Sequence, residues 1–566
     1  MRRKGIPVIV ALVLIVIVAV VGFGSRLLEK YSYSKEVVDL DEYYGVEEGE
    51  LAILLQNDMI SDRAYVRDGR IYFELNTVKT YLNEGFYADR NEQKILYTTA
   101  LDTATAVFGA REYTDGAGGH ALEYEACFAE GDGIFLAADY VKRFTNYSWL
   151  AFERHLQVYT EWGTKQTMEV TKDTQVRLEG GIKSPILREA EAGETVEVLE
   201  QGEDWSLVKT SDSVIGYLEN KRLDNLQTVT EEPVRDYVEE EYTSVRLPQK
   251  VSLGFHSIGG EGGNSTLDAM LADGNCIKVI APTWFSLTDN EGNFRSFASA
   301  WYVESAHARG LQVWGVWDNF NYRNETGADV SAYEVLSSTT KRQKLVQDMV
   351  DTSLGLKLDG INIDFEGLKV DCGEHYIQFL KELSVLCRGS GLILSVDNYV
   401  PLNFNDYYRL DIQGKILDYC IIMGYDEHWH GSGDPGSVAS IEYVSKGLDR
   451  TLEQVPAEKV VNALPFYMIL WKTEGTTVTD EYVTLNHLAD FLQSQNIKLQ
   501  WDETTCQNYG EWNSGTALYQ IWAEDEESIA VKLNVMNARN IGGVAVWRLG
   551  YGTPAAWDLI RAYGSL

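Results

Sequence analysis

No CxxC pair and no zinc-ligand spacing occurs among the six cysteines, Cys127, Cys276, Cys372, Cys387, Cys420 and Cys506. That removes structural zinc and leaves buried free thiols as the default reading, with a disulfide outside the cell as the open alternative. Basic residues are also few: 49 Lys and Arg face 85 Asp and Glu, a formal net charge of −36. With no basic stripe to neutralise phosphates, nucleic acid is not expected as a partner. Histidines number 8, and the lone His428-x-His430 pair is weak evidence for a metal, so no metal and no cofactor is expected.

One segment has no charge at all. Residues 6–24 are an apolar run preceded by Arg2, Arg3 and Lys4. As a helix the run reaches about 28 Å, close to the hydrocarbon thickness of a bilayer. The basic cluster predicts a cytoplasmic tail over 1–5, a single-pass transmembrane anchor over 6–24, and the remainder outside the cell. A cleavable signal peptide is the competing reading, disfavoured by the length of the run and by Gly22-Phe23-Gly24 as a cleavage site.

At 566 residues the chain is long enough for several domains. A polar stalk over 25–50 leads into a weak internal repeat over 51–162. Arg70-Ile71-Tyr72-Phe73, Val78-Lys79 and Lys94-Ile95-Leu96-Tyr97 recur as Gly133-Ile134-Phe135-Leu136, Val141-Lys142 and His155-Leu156-Gln157-Val158-Tyr159. Each copy reads as strand, short helix, strand. The pattern resembles the small N-terminal domain of copper amine oxidases, without implying copper chemistry. Residues 163–226 read as short strands and turns; Gly193, Trp205, Gly216 and Tyr217 resemble the bacterial SH3 pattern. That resemblance implies cell-wall contact or a structural spacer. A charged linker follows over 227–247.

From 248 onward apolar strands alternate with helical patterns, which predicts a parallel α/β domain. Eight strands are expected, at 251–258, 277–285, 311–317, 360–366, 392–396, 419–425, 460–466 and 543–547. Eight such units in 248–566 fit a (β/α)8 TIM barrel with insertions. The fold class is therefore α/β: a C-terminal barrel preceded by small β-rich SH3-like and α+β domains and an N-terminal transmembrane helix.

The fourth strand is the most informative stretch. In Asp359-Gly360-Ile361-Asn362-Ile363-Asp364-Phe365-Glu366, alternate side chains point to opposite faces. Asn362, Asp364 and Glu366 share one face and Ile361, Ile363 and Phe365 the other. Burying a row of carboxylates is costly, so such a strand usually carries chemistry. Asp359 is out of phase and is assigned a supporting role at most.

The run resembles the DGxDxDxE signature of family 18 glycoside hydrolases, the chitinase-like barrels. Met423-Gly424-Tyr425-Asp426 and Leu464-Pro465-Phe466-Tyr467 resemble that family's motifs on strands six and seven. Trp547, in Gly542-Gly543-Val544-Ala545-Val546-Trp547, falls where the family places the tryptophan flooring the sugar site. Asn362 departs from the signature, where the family has an aspartate; in this it resembles the spore-cortex and cell-wall N-acetylglucosaminidases.

The resemblance implies Glu366 as proton donor, Asp364 as the group orienting the substrate's N-acetyl arm, and Tyr425 as a donor to the acetamide oxygen. It implies Asn362, Asp426, Trp547, Met423, Trp284 and Tyr467 as substrate-binding residues. Trp284, Trp317, Trp429 and Trp471 are candidate sugar platforms, with a core role equally open; His256 and Asp318-Asn319 could line the pocket. The expected partner is a glycan, peptidoglycan or a chitin-like polymer, met from the outer face of the cell membrane. The alternatives are a chitinase or endoglycosidase on soluble oligosaccharides or glycoproteins, and a non-catalytic lectin-like barrel.

Overall fold

The computed structural model describes residues 6–272, 274 and 276–565. The expected tail over 1–5 lies outside the described residues. Residues Ile6–Tyr31 form one helix, yet among the described residues no helix is long and apolar enough to cross a membrane. The transmembrane helix expected over 6–24 is therefore not shown.

The chain divides into two compact units. The first comprises the described residues of 6–86, 106–113 and 120–239; the second comprises those of 87–105, 114–119 and 240–565.

In the first unit, the repeat copies meet in one seven-stranded sheet, where Arg70–Glu74 pairs antiparallel with Gly133–Ala137. The second copy's last strand, His155–Tyr159, joins this sheet parallel to Glu50–Leu55. The first copy's counterpart, Lys94–Thr98, falls in the second unit. A separate seven-stranded antiparallel sheet runs from Thr164–Val170 to Leu223–Thr230. Its core is Val170, Val176, Ala190, Val196, Val198, Val208, Leu218 and Leu223. Gly193 turns this chain at φ +90°, in the left-handed region that a side chain disfavours. At Gly216 a Cβ would meet the Arg177 carbonyl oxygen at 2.7 Å.

The second unit is built on eight parallel strands: β1 (Val251–His256), β2 (Val279–Leu287), β3 (Gln312–Asp318), β4 (Gly360–Asp364), β5 (Ile393–Tyr399), β6 (Tyr419–Met423), β7 (Val460–Pro465) and β8 (Gly543–Trp547). Neighbours pair in order, and β1 pairs with both β2 and β8, which closes the barrel. Both faces of each strand are covered, so apolar residues run almost without a break and the polar exceptions stand out. Between β7 and β8 the chain inserts a five-stranded antiparallel sheet, Tyr467–Glu474 through Ala517–Ala523.

Two helices flank β4: α1 (Thr339–Leu356) and α2 (Gly373–Ser390). The free N–H groups of the first turn of α1 are met by carboxylates: Asp89 accepts from Thr339 N at 2.6 Å, and Glu92 from Thr340 N at 2.7 Å. Arg342 of α1 and Glu382 of α2, both buried, pair through two hydrogen bonds of 3.0 and 2.9 Å. Asp359 stands just before β4, where it accepts from Val313 N and His307 Nε2, both at 2.8 Å. It ties β3 to β4 away from the cavity described below. All six cysteines are free thiols.

Candidate active site

Parallel pairing places Asp318 of β3 beside Asp364 of β4, and Asn362 of β4 beside Ser395 of β5. The inward faces of three adjacent strands thus assemble one polar layer inside the barrel. Asn362 Nδ2 donates to Ser395 Oγ at 3.0 Å and to Asp397 Oδ1 at 3.1 Å. Asp364 is buried, and its Oδ1 has no hydrogen-bond partner among the described residues. Over this layer opens a cavity of about 420 Å³, lined by Asp364, Glu366, Asp397, Tyr399, Met423, Tyr425, Asp426, Tyr467 and Trp547 among others.

β4 ends at Asp364, so Glu366 lies beyond the strand and reaches the cavity half-buried. Its backbone is clamped by one carboxamide: Asn319 Oδ1 accepts from Glu366 N at 2.8 Å, and Asn319 Nδ2 donates to the Glu366 carbonyl at 2.9 Å. Its carboxylate accepts from the Tyr399 hydroxyl at 2.7 Å. The Tyr467 hydroxyl donates to Asp426 Oδ1, and both residues line the same cavity. Asp426 takes φ +60°, a left-handed conformation that Asp tolerates better than most residues. Tyr425 and Tyr467 meet edge to face with ring centroids 6.1 Å apart. Trp547 packs against Phe255 at 5.5 Å.

Crowded, buried carboxyls resist ionisation. Burial, then the charges of Glu366, Asp397 and Asp318, push the Asp364 carboxyl well above its usual range. Burial raises Glu366 as well, opposed by the hydrogen bond from Tyr399 and reinforced by Asp426 and Asp318. Asp397 is pushed up to about 8 by burial, against the hydrogen bond from Asn362. Asp426 is raised by burial, and the Tyr467 hydrogen bond lowers it in part. These upward shifts favour the protonated form of the clustered carboxyls, the form that can supply a proton to a leaving group.

Several expected residues sit elsewhere. Asn362, expected to touch substrate, is fully buried and does not line the cavity; its Nδ2 is turned to Ser395 and Asp397, and its Oδ1 has no hydrogen-bond partner among the described residues. Trp284 lines the cavity but is 1% exposed, its Nε1 donating to Asn264 Oδ1, so it offers no open face to stack on. Trp317 stacks on Phe285 at 4.0 Å, and Trp471 is buried with its Nε1 on the Gly436 carbonyl. Both are core. Trp429 is exposed and does not line the cavity. His256 is buried between Tyr302 and Thr266. His428 contacts Asp434 while His430 lies beside Asp480, so the HxH pair does not converge. Among the described residues no group of three or more His, Cys, Asp or Glu could hold a metal ion.

Several side chains at the site were missed, among them Asp397 and Tyr399 of β5 and the charged groups of Arg295, Glu325 and Arg548. Asp397 and Tyr399 alternate with Val396 and Asn398 along β5, the same period-two signature that marks β4. That alternation, continued beyond Val396, could have found them.

A closed parallel barrel with ionisable side chains gathered at the C-terminal end of its strands defines the class of barrel-borne catalytic domains. The family model for glycosyl hydrolases family 18 matches residues 326–552, and the bacterial SH3 domain model matches 172–224. Residues 326–552 thus belong to a family 18 glycosyl hydrolase domain, and residues 172–224, earlier in the sequence, to a bacterial SH3 domain. The cortical fragment-lytic enzyme of Bacillus anthracis is 26% identical over 237 residues, 40% of this chain and 54% of that one. This chain thus spans about half the length of that relative. The glycosylase YvbX of Bacillus subtilis is 24% identical over 296 residues, 50% of this chain and 84% of that one. Among solved structures, the Bacillus cereus spore cortex-lytic enzyme SleL aligns with a TM-score of 0.50 at 20% identity, over 59% of this chain and 78% of that one. At that identity the likeness is one of fold.

Proposed function

We propose that this chain is a retaining, substrate-assisted glycoside hydrolase that cleaves β-1,4 bonds at N-acetylglucosamine in peptidoglycan. One observation carries the proposal: Glu366 reaches the cavity with a raised, protonatable carboxyl, two residues beyond the buried Asp364. Glu366 donates its proton to the glycosidic oxygen as the bond to the anomeric carbon breaks. The substrate's own N-acetyl carbonyl oxygen attacks that carbon, giving an oxazolinium ion, so no protein nucleophile is needed. Asp364 orients the acetamide and stabilises the cation, Tyr425 hydrogen-bonds the acetamide oxygen, and Asp426, held by Tyr467, supports the distorted sugar on Trp547 and Met423. Glu366 then takes a proton from water, which attacks the same carbon. Two inversions leave the anomeric configuration retained.

The SH3 domain supports contact with the wall. An outward-facing membrane anchor is supported by the charge-free run 6–24 behind Arg2, Arg3 and Lys4, and by the exposed apolar side chains of its helix from Ile9 to Val21. Carbonate extraction of membranes tests the anchor: the chain stays in the pellet if it spans and is released if it does not.

The test of activity is digestion of peptidoglycan and of chitin oligomers, with identification of the new reducing-end sugar. The intact chain should expose N-acetylglucosamine ends, and Glu366→Gln should release nothing while still binding glycan. N-acetylmuramic acid ends, or undiminished release by the variant, would overturn the proposal. Cleavage confined to chitin oligomers would favour the chitinase reading, and binding without cleavage the lectin reading.

A further inference from the structure

The cavity is acidic, lined by the carboxylates of Asp318, Glu325, Asp364, Glu366, Asp397 and Asp426, with two guanidinium groups, those of Arg295 and Arg548. The two cations differ in one respect. Arg295 is spent on Glu325, with Nη1 on Oε2 at 2.5 Å and Nη2 on Oε1 at 3.1 Å. Arg548 forms no ion pair with any carboxylate among the described residues. Its guanidinium lies 4.3 Å over the ring of Tyr551, and its Nη2 donates to the hydroxyl of the same tyrosine.

A guanidinium carries five N–H donors in a planar fork. A single neutral partner, through its ring face and hydroxyl, holds this one in place and leaves most of the fork without a hydrogen-bond partner and the charge without a carboxylate. It stands half-buried in the cavity wall, directly after Trp547. Carboxylates abound in this cavity, so leaving a cation unpaired there makes sense if an incoming group supplies the anion. A planar carboxylate is the group that matches the fork with two parallel hydrogen bonds.

We infer that Arg548 is a specificity residue that receives a carboxylate carried by the glycan, so that acidic N-acetylated glycans are preferred over neutral ones. The inference rests on the hydrolase reading above and narrows its substrate class. A neutral chitin oligomer has no carboxylate to offer. A muramyl glycan has one on the lactyl ether of its acidic sugar or, when a stem peptide blocks that group, on the peptide.

The experiment compares kcat/KM of the intact chain, Arg548→Gln and Arg548→Lys on three tetrasaccharides of equal length. These are chitotetraose, the peptide-free disaccharide-repeat muramyl tetrasaccharide, and the same muramyl glycan bearing stem peptides. The intact chain should prefer at least one muramyl glycan over chitotetraose by about 10-fold or more. Arg548→Gln should lower the rate on that glycan at least about 10-fold more than on chitotetraose, and Arg548→Lys, which keeps the charge without the fork, should fall between. Whichever muramyl glycan loses its advantage identifies the lactyl group or the peptide as the source of the carboxylate. Equal rates on all three glycans, or a preference untouched by either substitution, overturn the inference and leave the hydrolase reading standing. Cleavage of no glycan by the intact chain overturns both.

Discussion

The Tyr399 hydroxyl donates to Glu366 Oε2 at 2.7 Å while accepting from the Gly367 amide at 3.2 Å. This tyrosine therefore both aims the carboxyl and stabilises its ionised form. Burial raises Glu366 and the hydrogen bond opposes the rise. Removing the hydroxyl in Tyr399→Phe should raise the Glu366 pKa further and keep the acid protonated to higher pH. The basic limb of the kcat profile should move to the alkaline side, with kcat lowered by loss of aim. A basic limb that stays in place or moves to acid contradicts this role.

Asn319 clamps the Glu366 backbone without lining the cavity. Asn319→Ala should loosen the acid and leave the binding walls untouched. We expect kcat to fall by about 10- to 100-fold with little change in KM, the pattern of a misplaced catalytic group. A rise in KM at unchanged kcat would place Asn319 in substrate binding instead.

Much of this arrangement was legible in the primary structure, and the limits have physical causes. The period-two alternation in β4, apolar on one side and acidic on the other, identified the face that carries Asp364 and Glu366. Alternation reports the face but not the depth, and Asn362, one step below Asp364, proved to be sealed beneath the cavity. Tryptophan stacks on sugars and packs in cores with the same surface, so Trp317 and Trp471 could not be sorted by residue type. In the inserted sheet between β7 and β8, the outer strand Thr477–Thr484 escaped because it is largely polar and exposed, with none of the apolar continuity of a barrel strand. The eight barrel strands were recognisable because burial on both faces demands that continuity.

Asp397 links the site to the stability of the fold. Its carboxyl is raised from an ordinary value near 3.8 to about 8. Between those values the folded chain holds a proton that the unfolded chain releases, so this group's contribution to stability falls as pH rises from about 4 to about 8. Asp397→Asn keeps an acceptor for Asn362 and removes the titration. Thermal melts should show the variant stabilised relative to the parent at pH 8 and the difference shrinking or reversing at pH 5. An identical pH dependence for both proteins would contradict a buried, proton-holding Asp397.

The Arg342–Glu382 pair between α1 and α2 is buried at both ends, at 0% and 5% exposure. Glu382→Gln strands a guanidinium in the interior and should destabilise the barrel by about 3–5 kcal/mol. Replacing both partners with apolar residues, Arg342→Met with Glu382→Leu, should recover most of that loss. Denaturant unfolding followed by tryptophan fluorescence provides the comparison. A double variant no more stable than the single one would show that the charges themselves are required.

The central claim is that the substrate's acetamide, and no protein carboxylate or water, makes the first attack on the anomeric carbon. The most direct measurement is proton NMR of the first sugar released from a β-linked N-acetylglucosamine oligomer, recorded before mutarotation. The β-anomer should appear first, and an analogue lacking the N-acetyl carbonyl should not be cleaved. Initial release of the α-anomer, or normal cleavage of that analogue, would contradict the mechanism.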